Sequence, residues 1–380
     1  MKIRQTLTSL FFLVLFSGFG QQTQNVQDSL VSWIASQQVE SDTFYNDGLF
    51  KSRRFYGKNV YDDNTLFYSS LIALTLHSIS EQMPPRNREL VDSIYMGVKN
   101  NAFRYQSRRG RPAFNYWQTD PDIPHPNGPA KYQTDKYKIP DDFDDTSMIG
   151  LLLDSPEFSL KIRNEMTRYT AERRKKVRTT FKRLKTSEAY GVWFADKWNQ
   201  EFDICVLANT LSFVFQNNYE LNPYDSASIE FIKRSINDDL HKKHPYVLSP
   251  YYNKTPVILY HISRLMSQDP AGHLSSLKSK IVSDIKEELE EVDLEMHRAI
   301  LYTSLFRLEE KPVPQVDIKK LRAEADEFNW FESNIMVAMG TRLWLRKLFN
   351  NSKIVPTFYW RCKAYYWTLY LEYLVLSNPA

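Results

Sequence analysis

The sequence predicts an all-α protein built as an α/α toroid, with about six antiparallel helical hairpins in one ring. Apolar residues recur at helical spacing through most of the 380 residues. Prolines separate these periodic segments, and no segment shows the strict alternation that is typical of a half-buried strand. About a dozen helices in antiparallel pairs suit a ring of hairpins. Only 11 glycines occur, without a glycine-rich phosphate motif, which argues against a dinucleotide-binding or P-loop fold.

The periodic segments define thirteen predicted helices. They cover residues 29–38, 64–81, 86–102, 145–153, 159–185, 201–216, 226–240, 254–267, 273–291, 293–310, 317–328, 335–349 and 363–377. Proline cannot continue a helix interior, so it marks the boundaries at Pro84, Pro156, Pro223, Pro250, Pro270, Pro312 and Pro356.

The first twenty residues are typical of a secretory signal peptide. Lys2 and Arg4 precede an apolar stretch at residues 10–16, and Gly18 and Gly20 offer a small-residue cleavage site. The apolar stretch is too short for a membrane-spanning helix, and no later segment is long enough. We therefore expect an exported chain, periplasmic or extracellular, with no transmembrane span after cleavage and one domain over residues 21–380.

Charge and cysteine content exclude two further classes. The formal net charge of +4 falls to about +2 once Lys2 and Arg4 are removed, which gives no basis for binding nucleic acid. The two cysteines, Cys205 and Cys362, could pair in an oxidising compartment, although Cys205 lies in an apolar helix where a buried thiol is favoured. No cysteine or histidine spacing indicates zinc.

Residues 104–144 form the one long segment without helical periodicity. Loops of this length in a compact domain are usually functional or disordered, and the aromatic residues here favour order. Tyr105, Tyr116 and Trp117 lie in this segment. Because 14% of the whole chain is aromatic, we expect an aromatic-lined cavity, with the loop folded over one mouth of the ring.

The loop ends in four aspartates within five positions: Asp141, Asp142, Asp144 and Asp145, followed by Thr146 and Ser147. Carboxylates this close repel one another, so at least one can stay protonated at neutral pH. A divalent cation such as Mg²⁺ could neutralise them instead. They could also simply cap the helix that begins near Asp145, since carboxylates favour helix N-termini.

The segment from Asp142 to Ser147 resembles the DxDDT[AS] motif of class II terpene cyclases, the squalene–hopene and copalyl diphosphate synthase group. In that family the motif begins an inner helix of an α/α barrel, and its middle aspartate protonates a terminal alkene or epoxide. The resemblance implies that Asp144 is the general acid, that Asp142 and Asp145 keep it protonated, and that no cofactor is needed. The spacing Asp141-Asp142-x-x-Asp145 also fits the Mg²⁺-binding DDxxD motif of class I prenyl-diphosphate enzymes, but a second metal motif is absent.

Further candidate substrate-binding residues lie in the second half of the chain. Asp203 and Asn209 interrupt an apolar helix and need polar partners, either at a cavity or within the core. A polar and aromatic group follows, for which a structural role in the core is the more common alternative. With Trp193, this group comprises Tyr251, Tyr252, Tyr260, His261 and Arg264.

Three functions fit these observations. The first is a terpene-cyclase-like isomerase that protonates an apolar polyene or related lipid. The second is an exported carbohydrate-active enzyme, a glycoside hydrolase or polysaccharide lyase, which would need a pair of carboxylates across a sugar bond. The third is a toroid that binds a ligand without catalysis. Each implies a small apolar or glycan partner.

The signal peptide gives a direct test. N-terminal sequencing of the protein recovered from an exporting bacterial host should begin at Gln21, because cleavage after Gly20 follows the small-residue rule. A mature protein that retains Lys2 and Arg4 would contradict the prediction.

Overall fold

The computed structural model describes residues 24–123, 138–172, 177, 179–195, 200–333, 344 and 357–378. The predicted signal peptide lies outside these residues, as does the predicted helix at 335–349 except for Trp344. Among the described residues, no helix is both long enough and apolar enough to cross a membrane.

The described chain is mainly helical, as predicted. We number the helices α1 (24–36), α2 (Phe67–Ile79), α3 (Pro85–Lys99), α4 (Phe143–Leu153), α5 (Pro156–Glu172), α6 (Ile204–Gln216), α7 (Pro223–Asn237), α8 (Leu240–Lys243), α9 (Pro245–Leu248), α10 (Thr255–Ser267), α11 (Lys278–Glu291), α12 (Glu295–Arg307), α13 (Ile318–Ala323) and α14 (Lys363–Ser377). The strands are β1 (Arg53–Tyr56), β2 (Asn59–Asp62), β3 (Phe331–Ser333) and β4 (Phe358–Arg361).

Six helices contact one another in cyclic order. Helix α2 packs against α4, α4 against α6, α6 against α10, α10 against α12, α12 against α14, and α14 against α2. Their sequences explain this position: in α6, every residue from Ile204 to Phe215 is buried. A helix that is apolar around its whole circumference needs neighbours on all sides.

A second set of helices covers these six from outside. Helices α3, α5, α7, α11 and α13 pack against α2, α4, α6, α10 and α12 in turn. They are amphipathic: the buried residues of α3 are Asn87, Val91, Ile94 and Val98, which form one stripe along the helix.

The remaining helix, α14, is covered by α1 from the other end of the chain. The Gln27 side chain donates to the carbonyl of Leu374 (3.2 Å), and the rings of Trp33 and Trp367 meet edge to face at 6.4 Å. Each of the six central helices therefore has an outer neighbour.

The prediction of a purely helical fold is wrong, because the four strands form an antiparallel sheet in the order β2-β1-β4-β3. The sheet is held by cross-strand aromatic pairs, such as Tyr56 on Phe358 with ring centroids 4.3 Å apart. Strands of three or four residues are too short for a periodicity test, and β1 pairs with β4 from far along the chain. Gly57, with φ of +57°, allows the tight β1–β2 turn.

The long aromatic loop is only partly irregular. Residues 102–105 form a turn of 3₁₀ helix, and short bridges join Gln106 to Phe114 and Phe114 to Asp142. Residues 124–137 lie outside the described part of the chain. Helix α4 begins at Phe143, two residues earlier than predicted. Cys205 and Cys362 are buried free thiols, so they are not paired with each other.

Two helices of the outer layer, α5 and α7, are joined by a buried ion pair. Arg163 on α5 donates to Asp225 on α7 through both terminal nitrogens, one of them at 2.8 Å, and both side chains are at least nine-tenths buried. Such a pair stabilises the folded state little more than apolar side chains of the same size would, but removing one partner leaves the other charge unpaired in the interior.

We expect Arg163→Ala to lower the free energy of unfolding by about 3–5 kcal/mol, because Asp225 would be left buried without a cation. Urea denaturation followed by circular dichroism measures this change. The control is Lys161→Ala on the same helix, whose pair with Glu157 is exposed and screened by solvent, so that its loss should change the unfolding free energy much less. Equal effects of the two substitutions would contradict the assignment.

Candidate functional site

The acidic segment lies where α4 begins, and hydrogen bonds from both flanks fix it there. Three backbone hydrogen bonds are involved. The N–H of Asp142 donates to the carbonyl of Phe114 (3.2 Å), the N–H of Phe143 to the carbonyl of Val192 (2.8 Å), and the N–H of Phe194 to the carbonyl of Asp141 (2.9 Å). The Asp142 side chain caps the helix by accepting from the N–H of Asp145 at 2.7 Å. The capping alternative is thus correct for Asp142, but it does not account for the other carboxylates.

Asp144 points to the interior and receives two side-chain donors. The Asn209 amide on α6 donates to its Oδ1 and the Tyr252 hydroxyl to its Oδ2, each at 2.5 Å. Arg264 on α10 in turn donates to the Oδ1 of Asn209.

This chain of contacts identifies which oxygen of a neutral Asp144 would carry the proton. Arginine only donates, so the Asn209 oxygen must face Arg264 and its NH₂ must face Asp144. The Oδ1 of Asp144 is therefore an acceptor. The neutral acid would carry its proton on Oδ2 and donate it to the Tyr252 hydroxyl, whereas the ionised acid accepts from that hydroxyl. Burial raises the pKa of Asp144, while the bonds from Asn209 and Tyr252 and the charge of Arg264 oppose this rise.

Asp142 and Asp145 lie side by side, and the N–H of Asp145 donates to the Asp142 carboxylate. Burial, followed by the neighbouring Asp145 charge, raises the pKa of Asp142 well above its usual value. Burial also raises the pKa of Asp145 to about 8. The two carboxyls therefore retain at least one proton between them at neutral pH, because ionising both would place two like charges together in the interior.

Asp141 has a different environment from the other three. Its carboxylate accepts from the hydroxyl of Ser107 (2.6 Å), a terminal nitrogen of Arg111 (3.2 Å) and the amide of Asn115 (3.3 Å). Within the described residues, no group of three or more histidine, cysteine or acidic side chains has the arrangement of a metal site. Mg²⁺ bound by Asp141, Asp142 and Asp145 stays an alternative that nothing here tests.

Asp203 holds the segment that carries Tyr252. It caps α6 through the N–H groups of Cys205 (2.8 Å) and Val206 (3.3 Å), and it also accepts from the Ser249 hydroxyl (2.6 Å) and the Tyr251 N–H (3.0 Å). Burial raises the pKa of Asp203 to about 7, although these donors lower it. Asp203 therefore positions the Tyr252 loop against Asp144.

Tyr260 and His261 lie deeper, on α10. The Tyr260 hydroxyl donates to Glu372 on α14 (2.7 Å), and Arg307 on α12 pairs with the same carboxylate. The His261 ring packs against Tyr252 with centroids 4.8 Å apart. His261 thus borders the Asp144 site through Tyr252, whereas the ring of Tyr260 contacts those of His261 and Trp330.

Tyr105, Tyr116 and Trp117 gather around a carboxylate that the sequence analysis overlooked, Asp63. It accepts from the Trp117 indole (3.0 Å), the Tyr116 hydroxyl (2.8 Å) and the Trp360 indole of β4 (2.8 Å). Tyr105 is fully buried, and its hydroxyl donates to the neighbouring Asn64 at 3.2 Å. Burial raises the pKa of Asp63.

Trp193 lies beside the start of α4 rather than against Asp144. Its backbone bridges to Asp142, and its ring meets Tyr251 edge to face at 5.8 Å. Glu372 was also missed as a site residue, although a lone carboxylate inside the apolar C-terminal helix was an indication. For Asp63, the indication was its position directly before the apolar helix α2.

Comparison with protein-family models, with curated proteins and with solved structures found no match for this chain. The resemblance to class II cyclases therefore rests on the motif from Asp142 to Ser147.

The proton that Asp142 and Asp145 retain between them predicts how the free energy of unfolding depends on pH. The pKa of Asp145 is raised from 3.8 to about 8 by burial, so the folded state binds the proton more tightly than the unfolded state. This contribution is fully present below pH 4 and is lost as the pH rises through 8. We expect Asp145→Asn to flatten the fall in unfolding free energy between pH 5 and pH 8.

Urea titrations at a series of pH values measure that slope. The control is Asp42→Asn, because the hydrogen bond from Lys51 lowers the pKa of the exposed Asp42 to about 2, outside this range. An unchanged slope of unfolding free energy against pH in the Asp145→Asn variant would show that Asp142 and Asp145 do not retain a proton between them.

Proposed function

We propose that the protein is a terpene-cyclase-like enzyme in which Asp144 protonates a carbon–carbon double bond of an apolar polyene or related lipid. The observation that carries this proposal is the buried Asp144 carboxyl, which contacts the Asn209 amide through Oδ1 and the Tyr252 hydroxyl through Oδ2, the oxygen on which the neutral acid would carry its proton. Alkene protonation needs an acid that is neutral before the reaction and whose anion is stabilised afterwards.

The surrounding residues meet both requirements. Before reaction, burial raises the pKa of Asp144 and so favours the neutral acid. As the proton moves from Oδ2 to the alkene carbon, Asn209 continues to donate to Oδ1 and the Tyr252 hydroxyl turns to donate to Oδ2. Arg264 lies one hydrogen bond further away and favours the developing negative charge. Transfer of a proton from another carbon of the carbocation to the Asp144 carboxylate regenerates the acid and completes an isomerisation or cyclisation without a cofactor.

Aromatic rings beside the acid suit the carbocation. Phe331 lies 6.1 Å from Tyr252, 4.9 Å from Trp360 and 6.2 Å from Tyr116 between ring centroids. Hydrogen bonds from Tyr116 and Trp360 to Asp63 fix the orientation of two of these rings. Ring faces attract cations through their quadrupoles, so this wall would stabilise positive charge close to where it forms.

We also propose that the fold is a single α/α toroid decorated by the small sheet. The cyclic contacts of α2, α4, α6, α10, α12 and α14, each with an outer helix, support this architecture. The resemblance places the DxDD motif at the start of an inner helix, and α4 is one of the six. Export of the mature chain, from the signal peptide, is part of the same proposal.

The carbohydrate alternative has less support. It requires a second carboxylate facing the reacting bond, and Asp203 was the candidate. All four donors around Asp203 are used to cap α6 and hold the Tyr252 loop, which favours a positioning role. The non-catalytic alternative predicts binding without product and is distinguished by the same assay.

The purified mature protein should convert a member of a polyprenyl panel to an isomeric product, detected by gas chromatography and mass spectrometry. We expect Asp144→Asn to lower the rate by roughly 10²–10⁴-fold, because an amide cannot donate the proton. The matched control is Asp154→Asn at the other end of α4, which should keep full activity and the same melting temperature.

Full turnover by folded Asp144→Asn would remove Asp144 from the mechanism. Conversion of a glycan, with no polyprenyl product, would favour the carbohydrate alternative.

A further inference from the structure

Among the buried polar atoms without a hydrogen-bond partner in the described residues, three lie in neighbouring aromatic side chains: Nε2 of His261, Nε1 of Trp330 and the hydroxyl of Tyr365. Their residues are 0%, 2% and 1% exposed. Each unpaired buried polar group costs about 1–3 kcal/mol, and folded proteins contain few of them. Three such atoms need an explanation.

The three side chains belong to one aromatic cluster. The Trp330 ring lies 5.3 Å from that of His261 and 5.1 Å from that of Tyr365. His261 comes from α10, Tyr365 from α14, and Trp330 directly precedes β3. Elements distant in sequence thus bring the unpaired atoms into one neighbourhood at the centre of the six helices.

The donor and acceptor properties of the three unpaired atoms define which chemical group could bind to them. Nδ1 of His261 lies 2.8 Å from the carbonyl of Val257, so Nδ1 carries the hydrogen and Nε2 presents a lone pair. Trp330 can only donate, and Tyr365 can donate or accept. A hydroxyl group satisfies this set, because it donates to Nε2 and accepts from the other two. An ether or carbonyl oxygen only accepts and would leave His261 unpaired.

Two cations lie near the cluster, Arg307 on α12 and Arg264 on α10. The charge of Arg307 is balanced by Glu372, although its Nη1 has no hydrogen-bond partner among the described residues. A carboxylate at the cluster would face the lone pair of His261, which disfavours an anion. A neutral alcohol is therefore the better match.

The cluster adjoins the acid site. Tyr252, whose hydroxyl contacts Asp144, packs on the His261 ring at 4.8 Å. A ligand that places a hydroxyl at the cluster would therefore extend past Tyr252 toward Asp144.

We propose that His261, Trp330 and Tyr365 form a binding site for the hydroxyl group of a lipid alcohol. The hydroxyl site rests on the three unpaired atoms. Only the choice of an unsaturated isoprenoid chain rests on the proposed function.

Isothermal titration of the purified mature protein tests the site with two matched pairs: geranylgeraniol and its methyl ether, and hexadecanol and its methyl ether. We expect each alcohol to bind at least about tenfold more tightly than its ether, which cannot donate to His261. Tyr365→Phe and Trp330→Phe should each reduce this preference several-fold.

The control is Tyr366→Phe, because the Tyr366 hydroxyl already donates to the Leu321 carbonyl at 2.6 Å. Tyr366→Phe should keep the alcohol preference and lower the melting temperature. Ligand-free Tyr365→Phe should melt at the same temperature as the unmodified protein or higher, because it removes a hydroxyl that has no partner.

Equal binding of alcohol and ether, binding of neither, or an unchanged preference in both Tyr365→Phe and Trp330→Phe would overturn the proposal. Water alone at the three atoms, in a crystal structure soaked with the alcohol, would also overturn it. A retained preference for hexadecanol, with no turnover of any polyene, would support the hydroxyl site and reject the proposed function.

Discussion

The site depends on keeping the Asp144 carboxyl out of water. An acid buried in this way must either lose its charge or be given donors, and both solutions occur here. Asn209 and Tyr252 contact it directly, Arg264 fixes the amide of Asn209, and Asp203 fixes the loop of Tyr252. Helices α4, α6 and α10 are thus joined by one polar chain, which runs from the first turn of α4 to the last turn of α10. The coupled pair of Asp142 and Asp145 belongs to the same region, where ionising a second carboxyl is costly.

Most of the helical architecture could be predicted because its causes are local. An apolar stripe and a proline boundary each depend on about fifteen consecutive residues. Helices α7, α10, α12 and α14 therefore begin and end within a few residues of their predicted limits. The sheet was missed for the opposite reason. Its strands have three or four residues each, and the pairing of β1 with β4 joins parts of the chain that no local pattern relates.

The same distinction separates the predicted site residues from the missed ones. The DxDD segment is contiguous, and Asn209 stands out as a polar residue in an apolar helix. Asp63 owes its importance to Trp360, 297 positions away, and Glu372 to Arg307, 65 positions away. Sequence reasoning also grouped Tyr105, Tyr116 and Trp117 with the acid, whereas their hydrogen bonds go to Asp63 and Asn64. A carboxylate that is satisfied only by distant aromatic donors leaves no spacing to recognise.

The contact between α1 and α14 has a consequence for how the chain reaches its folded state. Gln27 and Leu374 are 347 positions apart, so the contact between α1 and α14 cannot form until α14 has been synthesised, although α1 also contacts α3 through Asp28 and Asn87. Contacts of such long range form late, because a very large loop must close first. The packing of α1 on α14 is therefore incomplete while the chain is being made. A secretory channel threads a chain that is not fully folded, so this order of events is compatible with the export that the N-terminal residues predict.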